Sequence, residues 1–312
     1  QCAKVTLRSN PRVFIGIEFW SRIIATTTSE ESGLASLPPS PNVLELYAVA
    51  NEWQSIRRHS CMGSTGCMDN YLPTTWRLLF SAPADGATNM AIDEAIMRAV
   101  GAALVPPTLR FYAWNPPSMS LGRSQSAEDA DAAALQAAGF GLVRRPTGGK
   151  AILHIDELTY SIVAPEDEPR VAGGIVESYR QLSAGLVRGL ERLGVAGVEA
   201  DRRVERQQLK GPVCFEVPSD YEITVGGRKL VGSAQMRSQG VVLQHGALPL
   251  FGDIARICLF LATHPDQERV RARATTLSAV LGRSVTWQEA ADAVTQGCAE
   301  ALDLQFEVGA LI

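Results

Sequence analysis

The stretch RRPTGGKAILHIDELTYSI, residues 144–162, contains the features that decide the fold. Two arginines precede a Thr-Gly-Gly turn, and a backbone without side chains can approach a ligand closely there. The flanking segments, from residue 141 to residue 163, are typical of two strands around a glycine turn. The alternative is a glycine pair that merely closes a hairpin. The candidate binding residues in this stretch are Arg144, Arg145, Thr147, Gly148, Gly149 and His154.

A second candidate segment is GRKLVGSAQ, residues 227–235. Lys229 lies between apolar neighbours, and a lysine on a half-buried strand ordinarily points to solvent. The Gly-Ser-Ala sequence at residues 232–234 predicts an open strand face along which a ligand chain can lie. His245 follows on the next predicted strand, where it lines the same groove or serves as a structural histidine. The candidate substrate-binding residues here are Gly232, Ser233, Ala234 and His245.

Cys214 stands in a Pro-Val-Cys-Phe segment that the pattern predicts to be a turn. Cys258 and Cys298 lie instead in apolar helical patterns and are predicted to be core residues. A thiolate is a nucleophile, and a nearby ammonium group such as that of Lys229 lowers the pKa of a thiol. The topology permits this pairing on the adjoining hairpin. The competing interpretation is that Cys214 is a small buried hydrophobic residue, as most free cysteines are.

Composition excludes several classes of protein. The net charge is −4, and no run of Lys or Arg predicts a nucleic-acid surface. No apolar run approaches the roughly 18 residues of a membrane span, and no signal-like N-terminus is present. The six cysteines are spaced too irregularly for a disulfide framework, and Cys61 and Cys67 lack a second pair for a zinc site. These features predict a cytoplasmic protein that binds neither nucleic acid nor membrane and contains no metal.

The first 67 residues differ from the rest of the sequence. They contain Ser/Thr clusters and a Pro-Ser stretch, without a persistent apolar period. We expect residues 1–67 to be a disordered or misassigned N-terminal extension, and residues 68–312 to form the catalytic domain. The alternative is a genuine small N-terminal module.

Beyond Trp76 the periodic signals become clear. WRLLF and TLRFYAW predict strands, and Asn89 is predicted to cap a helix that buries Ile92, Ala95, Ile96 and Ala99. A helix through AEDADAAALQAAG should end at Gly139. The segments YEITV, RKLVGSAQMR and VVLQHGALPL predict a strand meander with tight turns. The last 50 residues are predicted to be mostly helical.

A long amphipathic helix is predicted from Ser178 to Gly194. The apolar positions repeat at helical spacing, and Ser178 with Gln181 is predicted to form a capping box. Strands and helices alternate without regular βαβ units. The predicted fold is therefore α+β, a mixed β-sheet flanked by helices. The predicted core face comprises Tyr179, Leu182, Leu186, Leu190 and Leu193.

The motifs together resemble the lipoate/biotin protein ligase family. NMAIDEA, RRPTGGKAILHIDELTYSI and GRKLVGSAQ followed by QHG occur in the order and spacing of that family, across about residues 76–300. Within it the chain is most similar to octanoyltransferases of the LipM type. Lys150 stands where the ligases usually have a third glycine, and VCFEVPSDYE resembles the cysteine segment of the transferases.

This resemblance implies transfer of an octanoyl group from octanoyl-acyl carrier protein to a lysine of a lipoyl domain. Cys214 matches the acyl-thioester nucleophile, and Lys229 matches the lysine that lowers its pKa. The acceptor would be a lipoyl protein such as glycine cleavage H protein or dehydrogenase E2, and no cofactor is needed because the thioester is already activated. We expect a monomer. The alternatives are an ATP-dependent lipoate ligase, a lipoyl-domain amidotransferase, and a non-catalytic acyl-binding module.

Overall fold

A mixed β-sheet organises the part of the chain that the computed structural model describes, residues 71–201 and 222–311. The N-terminal residues 1–67 and Cys214 lie outside these described residues, and so do Cys61 and Cys67. The described residues belong to one compact unit, Cys67–Ile312.

Strands and helices alternate along the chain. The strands are β1 Thr74–Phe80, β2 Thr108–Tyr112, β3 Ser118–Leu121, β4 Gly141–Arg144, β5 Ile152–His154, β6 Glu157–Pro165, β7 Val198–Asp201, β8 Glu222–Val225, β9 Arg228–Ser238, β10 Val241–Pro249 and β11 Leu304–Val308. The α-helices are α1 Gly86–Gly101, α2 Ala132–Ala137, α3 Ile175–Arg192, α4 Gln267–Arg273, α5 Leu277–Leu281 and α6 Trp287–Leu302. Two 3₁₀ helices cover Ala127–Asp129 and Ile254–Phe260. No helix within these described ranges has the length and apolarity to cross a bilayer.

The main sheet has the strand order β11-β1-β2-β6-β10-β9-β8-β7. Strand β1 pairs in parallel with β2 and β11, and the remaining pairs are antiparallel. The predicted α+β fold with a mixed sheet is confirmed. The predicted meander is also confirmed, because β8, β9 and β10 follow one another through turns with positive φ at Gly226, Gly227, Gln239 and Gly240.

A second sheet of three strands, in the order β4-β3-β5, carries the glycine turn. The predicted strands on the two sides of this turn are present, as β4 and β5. Strands β4 and β5 do not pair with each other, because both pair with β3, in parallel and antiparallel orientation respectively. The glycine turn is therefore a loop that crosses the end of β3 and is free to face a neighbouring cavity.

Helices cover both faces of the main sheet. On one face α3 packs against α6, and their backbones approach so closely that a Cβ on Gly297 would lie 2.2 Å from the amide nitrogen of Gly189. The buried face of α3 includes Leu182, Leu186 and Leu190, as the sequence predicted. Helix α1 packs against the opposite face, over β6 and β10. Because helices pack on both faces of the sheet, the central strands β6 and β10 are buried on both sides.

Two predicted helix starts are wrong. Helix α1 begins at Gly86, where the Asp85 carboxylate accepts a hydrogen bond of 2.8 Å from the Thr88 amide. Helix α3 begins at Ile175 after Gly174, without a side-chain cap. Asn89 and Ser178 are instead buried inside their helices, because each makes tertiary hydrogen bonds that its sequence position does not reveal.

The buried face of α1 also differs from the prediction. It is formed by Asn89, Asp93, Ile96 and Val100, whereas Ala95 is exposed. Polar residues thus occupy half of a stripe that usually holds apolar ones. The apolar pattern predicted the wrong buried face because Asn89 and Asp93 are buried together with polar partners in the sheet.

The C-terminal helices and the two core cysteines agree with the sequence. Helices α5 and α6 correspond to TTLSAVLG and TWQEAADAVTQGCAEAL, and Gly282 ends α5 in the left-handed conformation. Glycines with positive φ also follow α2 and α3, at Gly139 and Gly194. Cys258 and Cys298 are buried, and burial raises the pKa of Cys298 to about 12. Cys298 is therefore a protonated core thiol at neutral pH.

Leu186→Ala should destabilise the protein by about 2–5 kcal/mol, because Leu186 is buried in the core and its truncation leaves a cavity. The free energy of unfolding in urea measures the effect. Arg180→Ala on the exposed side of the same helix is the control and should change it by no more than about 0.5 kcal/mol. A loss below that value for Leu186→Ala would contradict the packing of this face.

Candidate functional site

A cavity of about 330 Å³ opens between the two sheets. Its walls are the strands β9 and β10, the glycine loop 148–150, and the first turn of α3. Of the residues predicted from the sequence, nine line it, namely Arg145, Gly148, Gly149, His154, Lys229, Gly232, Ser233, Ala234 and His245. Apolar and aromatic side chains complete the walls, namely Met90, Tyr112, Trp114, Ile152, Ile175, Val176, Tyr179 and Ala247. A cavity of this kind suits a largely apolar ligand with a few polar atoms.

Arg145 holds the conformation of the glycine loop, because its guanidinium bonds to the loop backbone. Its guanidinium donates to the carbonyl oxygens of Gly148 at 2.8 Å and Lys150 at 2.7 Å. It also donates to the carbonyl and the hydroxyl of Ser120, both at 3.1 Å. Because the arginine is only 3% exposed, these bonds satisfy a charge that burial would otherwise make very costly. The loop carbonyls are thereby turned toward Arg145.

The loop also lies against the end of β3. A Cβ on Gly122 would lie 2.0 Å from the carbonyl oxygen of Gly149, so only glycine fits at residue 122. Gly149 has φ +92, a conformation that favours glycine. The glycines thus serve backbone packing as well as access to a ligand.

Arg144 and Thr147 are placed outside the cavity wall. Arg144 is exposed and donates to the carbonyl oxygens of Gly122 at 2.8 Å and Gln125 at 2.6 Å. Thr147 is fully buried, and its hydroxyl lies 2.7 Å from Nε2 of His245. Arg144 therefore braces the 122–125 loop, while Thr147 connects the glycine loop to β10.

Asp93 is the central residue that the sequence analysis missed as a site residue. Its fully buried carboxylate accepts hydrogen bonds from Arg110 at 2.7 Å, Ser161 at 2.8 Å and Tyr112 at 3.0 Å. Its Oδ2 lies 3.7 Å from Nδ1 of His245. The available signal was an acidic residue next to the apolar stripe of a predicted helix, where burial of the carboxylate requires a partner.

The ionisation of this cluster follows from its surroundings. Burial alone would raise the pKa of Asp93, but His245 and Arg110 together hold that pKa below its usual value. Burial lowers the pKa of His245, and Asp93 offsets this only in part. Burial also raises the pKa of Tyr112 well above its usual value. At neutral pH His245 is therefore neutral, with Asp93 ionised beside it.

His154 belongs to a second hydrogen-bonded group in the cavity wall. Its Nδ1 lies 2.6 Å from the Glu157 carboxylate and its Nε2 lies 2.8 Å from the Ser120 hydroxyl. The imidazole stacks on Trp114 with ring centroids 3.9 Å apart. The Trp114 indole in turn donates to Thr159 at 2.8 Å. One face of the ring and both of its nitrogens are thus engaged, which holds His154 in the cavity wall.

Lys229 is buried and forms an ion pair of 2.5 Å with Glu222. This differs from the solvent-facing position that a lysine on a half-buried strand usually takes. Lys229 lines the cavity, and Glu222 partly neutralises its ammonium group. The predicted partner, Cys214, lies outside the described residues. Within the ranges 71–201 and 222–311, no group of three metal-ligating side chains occurs.

Comparisons with known proteins agree with these motifs. The family model described as the lipoyl protein ligase A/B catalytic domain matches residues 85–299. The chain belongs to this family. Its resemblance to the lipoate/biotin protein ligases is thus confirmed.

Curated relatives within the lipoyl protein ligase family carry a more specific name. Octanoyltransferase LipM of Symbiobacterium thermophilum is 46% identical over 251 residues, which is 77% of this chain and 91% of the relative. The protein of the same name from Moorella thermoacetica is 49% identical over 219 residues, or 68% of this chain and 80% of the relative.

Solved structures support the fold. A bipartite lipoate protein ligase from Thermoplasma acidophilum has a TM-score of 0.62 at 25% identity, covering 76% of this chain and 88% of that one. A lipoate-protein ligase A bound with ATP has a TM-score of 0.64 at 24% identity, covering 77% and 90%. At this identity the second structure supports the lipoyl protein ligase fold alone.

The stability of the protein should decrease as the pH falls from 7.5 to 5.5. The unfolded chain takes up a proton on residue 245 near pH 6.5, whereas burial lowers the pKa of the folded His245. The unfolded state therefore binds more protons over this range, and unfolding becomes easier by up to about 1.4 kcal/mol per pH unit.

Urea unfolding at several pH values measures this dependence. His245→Gln should flatten it, and the control His264→Gln, at an exposed histidine, should leave it unchanged. Equal slopes for the wild type and His245→Gln would refute a buried neutral imidazole at this site.

Proposed function

We propose that this protein is an octanoyltransferase of lipoate biosynthesis and protein lipoylation. It moves an octanoyl group from octanoyl-acyl carrier protein, through a thioester on Cys214, to a lysine of a lipoyl domain. The observation that carries the proposal is the identity of 46% to a curated octanoyltransferase over 251 residues. The acceptor is a protein such as glycine cleavage H protein or dehydrogenase E2, and the enzyme acts in the cytoplasm as a monomer without a cofactor.

The cavity supports an acyl substrate. Its apolar and aromatic walls fit a hydrocarbon chain, and each buried CH₂ contributes about 0.8 kcal/mol. The Gly232 position leaves strand β9 without a side chain next to the cavity, and the glycine loop lies opposite. We propose that Gly148, Gly149, Gly232, Ser233 and Ala234 contact the acyl group.

The reaction divides into two transfers of the same acyl carbon. The Cys214 thiolate attacks the thioester carbonyl, the new C–S bond forms, and the old C–S bond breaks to release the carrier thiolate, which takes a proton from solvent. The deprotonated lysine amine of the lipoyl domain then attacks the acyl-enzyme. An amide forms, the Cys214 thiolate leaves, and the lysine loses one further proton to solvent. The thioester bond of the donor drives both steps, so ATP is not consumed.

Lys229 supplies positive charge for the Cys214 thiolate. A cation near a thiol favours its ionised form and lowers its pKa. The ion pair between Lys229 and Glu222 limits this effect, because the carboxylate cancels part of the charge. Glu222 thus tunes how strongly Lys229 acts on the cysteine.

Intact-mass analysis after mixing the enzyme with octanoyl-carrier protein, without ATP, tests the proposal. The mass should rise by one octanoyl group, and Cys214→Ser should abolish the increase because an alkoxide forms with difficulty. Cys258→Ser and Cys298→Ser serve as matched controls at buried cysteines and should retain it. An unmodified wild type that joins free octanoate or lipoate to a lipoyl domain when given ATP would establish a ligase instead. Binding of octanoyl donors with no transfer under either condition would establish an acyl-binding module.

The pH dependence of iodoacetamide alkylation at Cys214 tests the role of Lys229. Lys229→Ala should raise the pKa of Cys214, since a favourable cation is lost. Glu222→Gln should lower it, because the charge of Lys229 is no longer neutralised. Shifts of the same sign in the two variants, or none in either, would remove Lys229 from this role.

The domain boundary is also a proposal. A protein shortened to residues 68–312 should fold and keep full octanoyltransferase activity, because the family match covers residues 85–299. Activity assays and thermal unfolding of the shortened and full chains compare the two. Aggregation of the shortened protein, or a melting temperature many degrees lower, would indicate that residues 1–67 contribute to the fold.

A further inference from the structure

A chain of polar side chains runs from Arg237 to the cavity. Gln235 Nε2 donates to Gln244 Oε1 at 3.1 Å, and Gln244 Nε2 donates to the Tyr160 hydroxyl at 3.2 Å. The Tyr160 hydroxyl lies 2.7 Å from the Ser233 hydroxyl, which lines the cavity. Arg237 begins the chain with a bond of 3.4 Å to Gln235 Oε1.

Arg237 determines the direction of these hydrogen bonds, because a guanidinium has only donors. It turns the oxygen of Gln235 toward itself. It also donates to Ser178 Oγ at 3.1 Å, and that hydroxyl accepts from Gln235 Nε2 at 2.9 Å as well. The Gln235 amide nitrogen therefore faces Gln244, and the oxygen of Gln244 faces Gln235.

The orientation of Gln244 fixes the next step. Its nitrogen donates to Tyr160, so the phenol oxygen is already an acceptor on that side. Burial raises the pKa of Tyr160 to about 12, and the phenol therefore keeps its proton. Ser233 Oγ, 2.7 Å away, is the acceptor within reach of that proton among the described residues, so we assign Tyr160 as the donor of this bond.

Gly246 makes this contact possible. Tyr160 lies on β6 and Ser233 on β9, with β10 between them, and both are register partners of Gly246. A Cβ on Gly246 would lie 2.6 Å from the Tyr160 ring and 2.9 Å from Ser233 Oγ. A glycine at this position thus opens a gap across which the two hydroxyls meet.

Because Ser233 accepts from Tyr160, its own proton is available for another partner. Among the described residues, no acceptor for that proton lies within hydrogen-bond distance, and the side chain faces the cavity. We propose that Ser233 is a catalytic hydrogen-bond donor to the acyl carbonyl oxygen, with its direction fixed by the relay Arg237–Gln235–Gln244–Tyr160. This inference rests on the proposed octanoyl transfer and specifies the group that stabilises its developing oxyanion.

Such a donor matters most when charge develops on the carbonyl oxygen. In both transfers the carbonyl becomes a tetrahedral oxyanion, and a donor that is already oriented requires no reorganisation at that moment. Loss of one donor of this kind typically lowers kcat by about 10²–10³-fold. Tyr160 does not touch the acyl group and acts as a positioning residue through Ser233.

A double-mutant cycle on kcat tests the assignment. Ser233→Ala should lower kcat by about 10²–10³-fold with a smaller change in KM, and Ser238→Ala, on the same strand outside the cavity, is the control that should not. Tyr160→Phe should lower kcat in the wild type but cause no further loss in Ser233→Ala. Independent, multiplying losses would show that Tyr160 has a merely structural role and would overturn the relay.

A measurement without turnover separates this inference from the proposed function. The probe is octanoyl-pantetheine with an amide in place of the thioester and ¹³C at the acyl carbonyl, observed by infrared difference spectroscopy. The carbonyl band of the bound probe should move to higher frequency in Ser233→Ala, because a hydrogen bond is lost, and should stay in place in Ser238→Ala.

The outcomes remain distinguishable. An unchanged band in Ser233→Ala, or failure of the wild type to bind the probe, would overturn the assignment even if octanoyl transfer occurs. A shifted band in an enzyme without octanoyl transfer would refute the proposed reaction while supporting the donor. Urea unfolding of each variant establishes that the fold is retained during the comparison.

Discussion

The ion pair between Arg110 and Asp93 is the constraint on which the site depends. Both side chains are completely buried, and their closest atoms are 2.7 Å apart. Removing one partner would leave an unpaired charge in the core, at a cost of about 3–5 kcal/mol. The pair connects β2 to α1 and extends through Ser161 to β6 and through His245 to β10. The helix therefore cannot shift along the sheet without breaking several buried polar contacts.

The glycine loop is attached to this framework at two points. Thr147 is joined to it through His245, and Arg145, in the cavity wall, donates hydrogen bonds to the loop carbonyls. A loop with glycines at residues 148 and 149 would by itself have a large conformational entropy. The buried contacts remove that freedom, so the loop presents one conformation to a ligand. Rigidity at the site thus originates in buried polar groups whose hydrogen bonds are made within the protein itself.

The sequence predicted the mixed sheet, the meander β8–β10 and the apolar face of α3 because their signals are local. The periodicity of apolar residues, the turn residues and the glycines that end helices each determine local structure within a few positions of the sequence. The motifs likewise identified nine of the residues that line the cavity. The pairing of β3 with both β4 and β5 could not be predicted, since it depends on contacts between distant segments.

The buried polar residues could not be predicted from the sequence for a different reason. Asn89 and Ser178 have the composition of helix caps, and only their tertiary partners show that they are buried within helices. Asp93 occurs in the NMAIDEA motif, yet its role depends on Arg110 and His245, which are far away in sequence. A buried polar residue is explained by its partners, and a single sequence does not specify those partners.

Two of the three cations among the described residues that line the cavity are already engaged, which weakens recognition of a free acid. Recognition of a carboxylate requires a cation that is not already engaged. Arg145 donates to backbone carbonyls, and Lys229 is paired with Glu222. Lys150, which is half-buried in the glycine loop, is the further cation among the described lining residues.

A thioester carries no charge in its ground state and develops one only as the oxyanion forms. An oriented hydroxyl such as that of Ser233 binds the uncharged carbonyl weakly and the oxyanion strongly, since hydrogen bonds to charged groups are about twice as strong as those between neutral groups. In the proposed reaction, the site would thus gain its preference for the transition state from dipoles held in place. Arg145 and Lys229, which are already engaged, in turn offer little to a competing fatty acid anion.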